Sequence, residues 1–292
     1  MIDVLLEPVK LKSKQEYSIS VIILNKTNKK IYSSSLLGKT MAEWVLSAVR
    51  GYNHKIVDYD TRVDSKEFIK AYLEPTDYTL VLYSNTPLIT KGVIQSVIEY
   101  VTTKESKATK LPVGYMVNNN YLKSVKDIMF DSVYNFHFDS FYEVDDAKQL
   151  KYVTSILSNR INTFYMDNGV VIEGSDTVII EPSVKISSGV TIFSHNTIKG
   201  NTSISEGTVL KEKNVIDNCT IGSGCLVSNS NVINSTLHSG VCIGSFCEIT
   251  NSELKEDVVV NKYSTIDSRT IRKKSVIAER STLVRASKEK KC

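Results

Sequence analysis

Between Ile198 and Ile216 the chain reads IKGNTSISEGTVLKEKNVI, with an aliphatic residue at every sixth position. A period of six matches neither the 3.6-residue period of an α-helix nor the alternation of a β-strand. It is typical of a parallel β-helix, in which each hexapeptide forms one short side of a triangular coil. The aliphatic side chain is expected to point inward and to stack on its counterpart in the next coil.

The same spacing extends in both directions from this stretch. Small or β-branched residues follow most of the aliphatic residues four positions later and fit the corners, where larger side chains would collide. The repeats predict a left-handed β-helix over residues 169–285 with roughly six coils, and a basic tail at 286–292. The expected inward residues are Ile180, Ile186, Ile192, Ile198, Ile204, Leu210, Ile216, Ile221, Leu226, Val232, Leu237, Ile243, Ile249, Leu254, Val260, Ile266, Ile271, Ile277 and Leu283.

The first half of the chain has a different pattern, in which apolar strands alternate with amphipathic helices. This alternation favours βαβ units and a parallel sheet. It predicts an α/β domain over residues 1–145 and a connecting helix at 146–168. Strands are predicted at 17–24, 55–59, 78–83 and 111–117, and helices at 40–49, 65–73, 90–103 and 120–130.

Ligands of parallel sheets bind beyond the carboxyl ends of the strands. Two such ends are expected in the polar segments that follow the first and third predicted strands. The candidate nucleotide- or sugar-binding residues are therefore Asn25 and Lys30 in one segment and Asn85 and Thr86 in the other. The alternative interpretations are a solvated lysine at Lys30 and an ordinary turn residue at Asn85.

Composition narrows the class of protein. The chain has 292 residues, of which 41% are hydrophobic and 23% charged, as in ordinary soluble domains. No apolar run approaches the roughly 20 residues of a membrane span, and the first residues do not resemble a signal peptide. Four of the five cysteines, Cys219, Cys225, Cys242 and Cys247, are interpreted as packing or face residues and form no Cys-x-x-Cys pair, which favours reduced thiols, no metal site and a cytoplasmic location. The net charge of +4 is concentrated near the C-terminus, where a solvated tail is preferred over a nucleic-acid site.

Four groups of tracts match one known family. They are the first strand with its loop and helix (Val21–Leu24, Tyr32–Ser34 and Leu37–Val45), a strand end (Val81–Ile89), the connector (Arg160–Val170) and two coil tracts (Val241–Ile249 and Asn261–Ser264). In these tracts the chain resembles the bifunctional bacterial N-acetylglucosamine-1-phosphate uridyltransferase and glucosamine-1-phosphate acetyltransferase family. The resemblance implies a truncated Rossmann-like nucleotidyltransferase domain followed by a β-helix that assembles as a homotrimer. It also implies a nucleotide sugar and Mg²⁺ at the first site and acetyl-coenzyme A at the second.

The first site departs from the family pattern. The family has a glycine-rich phosphate loop after the first strand, whereas this chain has no glycine before Gly38 and places Lys30 where the family has an arginine. Asn85 stands where the family holds Mg²⁺ with an aspartate. Because Mg²⁺ prefers carboxylate and phosphate oxygens, Mg²⁺ is expected only if the family activity survives.

The second site also departs from the pattern. Asn261, Lys262 and Tyr263 match a tract in which the family's catalytic base is a histidine. A lysine is protonated at neutral pH and is a poor base unless its pKa falls by several units. Lys262 is thus a candidate catalytic residue with a decayed site as the alternative, and acetyl-coenzyme A is implied only if this activity survives. His195 and His238 lie elsewhere in the coils; each is interpreted as a surface residue, although either could be a new base.

The leading hypothesis is a sugar-nucleotide pathway protein that resembles UDP-N-acetylglucosamine pyrophosphorylases. Its nucleotidyltransferase and acetyltransferase activities are expected to be weakened or lost, leaving a binding or scaffold role. Two alternatives remain open. One is an active sugar-1-phosphate nucleotidyltransferase of altered specificity, and the other is a hexapeptide acyltransferase that acts on an amino sugar.

Overall fold

A computed structural model of the chain describes residues 17–60, 62 and 64–284. It divides into two compact units, one within residues 3–154 and the other within residues 155–292. The basic tail at 286–292 lies outside the described residues. No helix in the described ranges is long and apolar enough to cross a bilayer.

The first unit contains a mixed β-sheet with helices packed on it. Its strands are Ile19–Lys26 (β1), Ser35–Leu36 (β2), Lys39–Thr40 (β3), Asn53–Tyr59 (β4), Tyr78–Tyr83 (β5), Ala108–Lys110 (β6), Tyr115–Asn118 (β7) and Ser132–Val133 (β8). Its helices are Met41–Ala48 (α1), Ser65–Lys70 (α2), Lys91–Thr103 (α3) and Asn119–Ser124 (α4). The main sheet has the order β4-β1-β5-β7-β6-β8, and β2 and β3 form a separate hairpin.

Two helix starts lie where the sequence predicts them. The Thr40 hydroxyl accepts a hydrogen bond from the Glu43 N–H, and the Glu43 carboxylate accepts one from the Thr40 N–H, which completes a capping box. Thr90 caps α3 by accepting from the Val93 N–H. Each such hydroxyl cap stabilises its helix by about 1 kcal/mol. The helix predicted at 120–130 is shorter, because the chain turns extended at Val125 and buries Ile128 in the core.

The prediction of a parallel sheet is confirmed only in part. β1 pairs in parallel with β4 and β5, but β7 runs antiparallel to β5. The strand predicted at 111–117 is in fact the turn and second arm of the hairpin β6–β7. Pro112 has no N–H to give to a ladder, and Gly114 has a φ of +97°, which turns the chain back on itself.

A long helix, Ala147–Asp167 (α5), leads into the second unit, and Gly169 follows it with a φ of +84°. The second unit is a hexapeptide β-helix with three parallel sheets as its sides. Its strands are Val171–Ile172 (β9), Ile179–Ile180 (β10), Lys185–Ile186 (β11), Thr191–Ile192 (β12), Thr197–Lys199 (β13), Ser203–Ile204 (β14), Val209–Leu210 (β15), Val215–Asp217 (β16), Thr220–Ile221 (β17), Leu226–Val227 (β18), Asn231–Ile233 (β19), Thr236–Leu237 (β20), Cys242–Ile243 (β21), Glu248–Thr250 (β22), Glu253–Leu254 (β23), Val259–Val260 (β24), Thr265–Asp267 (β25), Thr270–Ile271 (β26), Val276–Ile277 (β27) and Thr282–Val284 (β28).

The coil has about seven turns, one more than the spacing predicts. We call the sheet from β10 to β28 side one, the sheet from β11 to β26 side two, and the sheet from β9 to β27 side three; they have seven, six and seven strands. The extra strand is β9. Its inward residue, Ile172, is separated from Ile180 by a short 3₁₀ turn at Ser175–Thr177. This turn breaks the six-residue spacing of inward residues, so the spacing does not predict β9.

The predicted inward stacking of aliphatic residues is confirmed, with one shift of register. Val227 pairs with Leu210 and Ile243 and is fully buried, whereas Leu226 lies on the outer surface. Leu226 is therefore wrongly predicted as an inward residue. Each aliphatic residue that is removed from water in this column stabilises the coil by about 1.5–3 kcal/mol.

The small residues at the corners do more than fit a tight space. The Thr202 hydroxyl accepts a hydrogen bond from the Cys219 N–H of the next coil, and the Cys219 thiol donates to the Val232 carbonyl of the coil after that. Burial raises the pKa of Cys219 to about 11, which keeps the thiol protonated as a donor. Hydroxyls and thiols at the corners thus pair backbone groups that would otherwise be buried without partners.

The outer surface of side three is apolar over several consecutive coils. Val209, Leu226, Cys242, Val259 and Val276 lie next to one another across the parallel strands, and all of them remain partly or fully exposed. We call these five residues the outer ladder. An exposed, continuous apolar surface of this kind is typical of protein interfaces.

Candidate functional site

Polar side chains gather at the carboxyl ends of β1 and β5, where ligands of such sheets are expected. We call Lys26, Tyr32, Asn85, Glu143 and Asp145 the strand-end cluster. Asn85 follows β5 and is fully buried, and its Nδ2 lies 3.3 Å from both Glu143 Oε1 and Asp145 Oδ1. Its Oδ1 has no hydrogen-bond partner within the described part of the chain.

The charges of the strand-end cluster are already paired. Lys26 Nζ lies 2.8 Å from Glu143 Oε1, and the lysine side chain is only 12% exposed. The Tyr32 hydroxyl donates to Asp145, and burial together with this acidic neighbour raises the pKa of Tyr32 well above its usual range. A triphosphate would have to displace these carboxylates to reach the ammonium group.

The donors in this cluster do not fit Mg²⁺. Ammonium and amide N–H groups fill the positions next to the Glu143 and Asp145 carboxylates, where a metal ion needs oxygen ligands. The described residues contain no group of three or more His, Cys, Asp or Glu side chains able to hold a metal ion. The cluster as folded therefore offers Mg²⁺ no suitable set of oxygen ligands.

The residues predicted for this site are only partly brought together. Asn25 donates 2.7 Å to Asp58 on the neighbouring strand, and the Thr86 hydroxyl donates 2.7 Å to the Tyr83 carbonyl within its own turn. Lys30 is exposed at the start of a 3₁₀ turn. Asn85 alone among the four contacts the cluster's carboxylates, and Lys26 is the lysine that pairs with Glu143.

The tract predicted for the second site lies at a corner of the coil. Asn261 donates 2.9 Å to the Ile277 carbonyl, and Tyr263 stacks on Phe246 with ring centres 5.2 Å apart. The Arg280 guanidinium lies 5.6 Å from the centre of the Tyr263 ring. Lys262 is exposed, and no side-chain partner orients it within the described residues. The tract is thus held in place without any group that would turn Lys262 into a base.

A better placed candidate for a base lies on side two. His238 follows β20, and its Nε2 lies 2.9 Å from Glu253 Oε1 on the adjacent β23. Glu256 approaches the other ring nitrogen, Nδ1, at 3.9 Å. Hydrogen bonds from Lys255 and His238 hold the pKa of Glu253 below its usual value, so this carboxylate is ionised at neutral pH. The His238 side chain is 33% exposed, which leaves it open to a reactant.

Hydrogen bonds to neighbouring coils hold the backbone of His238 in place. The His238 N–H donates to the Leu254 carbonyl, and the buried Cys225 thiol donates 3.1 Å to the His238 carbonyl. At Gly222, one coil earlier, a Cβ atom would lie 2.8 Å from the His238 carbonyl carbon. Glycine is therefore required at position 222 for this coil to pack closely against the backbone of His238.

This arrangement determines which ring nitrogen can accept a proton. An ionised carboxylate only accepts hydrogen bonds, so Nε2 of His238 carries the proton that Glu253 receives. In the neutral ring the lone pair is then on Nδ1, which is too far from Glu256 for a hydrogen bond at 3.9 Å. When Nδ1 takes up a proton, both carboxylates stabilise the imidazolium. A base oriented by a carboxylate in this way is suited to general base catalysis.

The sequence distance between His238 and its neighbouring glutamates is close to the length of one coil. One coil spans about 17 residues here, since Val232, Ile249 and Ile266 stack on one side. Glu253 and Glu256 follow His238 at about that distance, but Glu212 follows His195 at the same distance, so the spacing alone does not distinguish the two histidines. His195 is exposed, which agrees with its interpretation as a surface residue.

Comparison with known proteins supports the nature of the coil. The sequence profile of a family described as "GlmU-like, C-terminal hexapeptide" matches residues 208–289. One curated relative, the bifunctional protein GlmU of Rippkaea orientalis, is 31% identical over 74 residues, which is 25% of this chain. The match spans only 16% of that relative's length. The matched region of the profile includes His238, Glu253 and Lys262.

Two solved structures can be aligned with most of the chain. The acetyltransferase domain of PglB from Neisseria gonorrhoeae is 13% identical, with 91% of this chain and 96% of that chain covered and a TM-score of 0.36. A mutant of perosamine N-acetyltransferase from Caulobacter crescentus, solved with CoA and GDP-perosamine, is 10% identical, with 91% and 93% covered and a TM-score of 0.35. TM-scores below 0.5 do not establish a common fold for the whole chain.

Proposed function

We propose that this protein is a hexapeptide acyltransferase that transfers an acyl group from acetyl-coenzyme A to the amine of an amino sugar. The observation that carries this proposal is the contact of 2.9 Å between His238 Nε2 and Glu253 Oε1. The hexapeptide profile over residues 208–289 supports it, because the pair lies inside the matched region. The leading hypothesis of weakened or lost activities rests on the absent glycine loop, Asn85 and Lys262, and His238 offers a base other than Lys262.

The reaction assigns one role to each group. Nδ1 of His238 accepts a proton from the amine as the nitrogen lone pair attacks the thioester carbonyl carbon. A C–N bond forms, the C–S bond breaks, and the departing thiolate takes the proton from the imidazolium to give free coenzyme A. Glu253 holds the ring in the tautomer that leaves Nδ1 unprotonated, and it stabilises the positive charge that develops on the ring.

The test is acyl transfer itself. Purified protein is mixed with acetyl-coenzyme A and a panel of acceptors that includes glucosamine, glucosamine 6-phosphate and a nucleotide-linked amino sugar, and the release of free thiol is followed. We expect release with at least one amine and none with N-acetylglucosamine, whose nitrogen is already acylated. Thiol release that is the same with and without every amine would contradict the proposal.

The homotrimer implied by the family resemblance is also part of the proposal, and the outer ladder supports it. Three chains of 32.6 kDa that pack through this surface would remove a continuous apolar stripe from water. We expect light scattering after size exclusion to give three times the chain mass, and Leu226→Glu to give a single chain, because a charge would be buried in the interface. Ser205→Glu, on the outside of side two, serves as the control. A wild-type protein that elutes as a monomer at micromolar concentration would rule out the trimer.

The weakened nucleotide-binding role expected for the α/β unit stays a prediction. The paired charges of Lys26 and Glu143 favour loss of nucleotidyl transfer over altered specificity, because a polyphosphate needs unpaired cations. A Mg²⁺-dependent thermal shift with UTP would count against this interpretation.

A further inference from the structure

A short segment of the chain lies against the strand-end cluster of the α/β unit. It consists of residues 141–145, which precede α5, and we call it the strap. The Val144 N–H donates 2.8 Å to the Asn85 carbonyl just after β5, and the side chains of Phe141 and Val144 are buried. The strap therefore occupies the edge of the sheet at which ligands of parallel strands bind.

The strap brings two carboxylates to the cations at the end of β1. Glu143 pairs with Lys26. Asp145 accepts a hydrogen bond from the Tyr32 hydroxyl and lies 3.9 Å from Lys29 Nζ. The Glu143 and Asp145 side chains remain 39% and 37% exposed, so water and dissolved ions reach these pairs. A dissolved anion can therefore compete with the strap for the two lysines.

Lys26 is also positioned by groups that do not belong to the strap. Its Nζ lies 5.1 Å from the centre of the Tyr83 ring and 5.9 Å from that of the Tyr32 ring, at distances where aromatic rings attract cations. The Lys26 N–H donates 3.2 Å to the Ser84 hydroxyl. The ammonium group would thus keep its place without the strap. Because a largely buried charge is costly without a partner, it would then need another anion.

The strap leaves one buried acceptor unsatisfied. Asn85 directs its Nδ2 toward the Glu143 and Asp145 carboxylates, and its Oδ1 has no hydrogen-bond partner among the residues that the structure describes. The opposite orientation of the amide would place its oxygen against two carboxylates. A buried acceptor without a partner destabilises the arrangement that contains it. Displacement of the strap would let water reach Asn85 and would remove this penalty.

From these contacts we infer that the strap is an autoinhibitory element, in which Glu143 and Asp145 take the place of an anionic ligand. In the closed form the two carboxylates neutralise Lys26 and Lys29. In the open form the two ammonium groups and the Asn85 amide bind a multivalent phosphate through charge-assisted hydrogen bonds. A ligand with at least two negative charges is required, because it replaces two carboxylates. The inference concerns the α/β unit and does not depend on the proposed acyl transfer.

The inference is tested by calorimetric titration with inorganic pyrophosphate in the absence of divalent metal ions. The strap variant, Glu143→Gln with Asp145→Asn, keeps the size of both side chains but removes the charges that neutralise the lysines. The control variant, Glu99→Gln with Asp127→Asn, removes the same charge at exposed positions of the same unit. We expect the strap variant to bind pyrophosphate at least about 10-fold more tightly than the wild type and the control, since a hydrogen bond to a charged group contributes that much. Addition of Lys26→Met to the strap variant is expected to abolish the gain.

Hydrogen exchange of the Val144 amide measures displacement of the strap and needs no variant. In the wild type we expect this amide to exchange faster in pyrophosphate than in sodium chloride of equal ionic strength, while the amides of β5 keep their protection. Exchange at Val144 that pyrophosphate does not change would overturn the autoinhibitory contact. So would an equal gain of affinity in the strap and control variants, or a gain that persists after Lys26→Met.

Discussion

Replacement of His238 by glutamine is expected to lower the rate of acyl transfer by about 100-fold to about 10,000-fold, the usual contribution of a positioned general base. Glutamine keeps a polar side chain of similar reach that can still donate to Glu253, but it has no basic nitrogen. The measurement is kcat for thiol release at saturating acetyl-coenzyme A and amine. The matched control is His195→Gln, which removes an exposed histidine from another corner of the same β-helix and is expected to leave the rate unchanged.

The role of Glu253 is examined by a second variant. Glu253→Gln keeps the size of the side chain, but its amide can also donate to Nε2 of His238 and thereby favour the wrong tautomer. We expect a fall in kcat of at least about 10-fold, by analogy with the loss of the orienting carboxylate in catalytic triads, and a displaced pH profile. If His238→Gln folds normally and keeps the wild-type rate, His238 is not the base, whatever the Glu253 variant does.

The largest expected effect on stability is that of Gly114→Ala in the α/β unit. Gly114 closes the β6–β7 hairpin with a φ of +97°, and a Cβ atom there would lie 2.2 Å from the Val81 carbonyl oxygen. Val81 is fully buried in the central strand β5, so neither backbone can move aside without disturbing the core. We expect the free energy of unfolding of this unit to fall by about 4 kcal/mol or more, in the range of severe core damage.

Gly51→Ala separates the clash from the backbone strain. Gly51 has a similar φ of +100°, but no atom lies within 4 Å of the position that a Cβ atom would take there. Its replacement is expected to cost about 1–2 kcal/mol, the strain of a side chain in this region. The chain has a single tryptophan, and Trp44 lies in α1 of the same unit, so its fluorescence during urea unfolding reports this unit alone. Equal losses in the two variants would show that the close approach to Val81 contributes nothing.

Local signals account for what could be predicted from the sequence. The aliphatic period of the β-helix relates residues only about six positions apart, and the helix starts at Thr40 and Thr90 depend only on the next three residues. The same locality limits the prediction. At the turn of Ser175–Thr177 the spacing breaks and β9 is missed, and the choice between Leu226 and Val227 depends on the register with neighbouring coils.

The candidate base could not be predicted from neighbouring residues in the sequence. His238 alone resembles an ordinary surface residue, and it becomes the candidate base through its contact with Glu253 on the adjacent strand of the next coil. Lys262 is predicted from its place in a tract, but a tract does not say which groups surround a side chain. The pKa and tautomer of a titratable group depend on neighbours in space, and these neighbours come from different strands.

In the α/β unit, too, some features follow from the local sequence and others only from the folded chain. Its sequence predicts a strand–helix alternation and draws attention to Asn85, whereas folding reverses one strand of the sheet and brings Glu143 and Asp145 to Asn85. Residues about sixty positions apart meet only after the chain has folded, and no period or cap relates them. The repeating coil and the helix starts thus follow from the order of the amino acids, because they depend on neighbouring residues. Only the folded chain determines which charges are paired and which histidine faces a carboxylate, because those contacts join distant parts of the sequence.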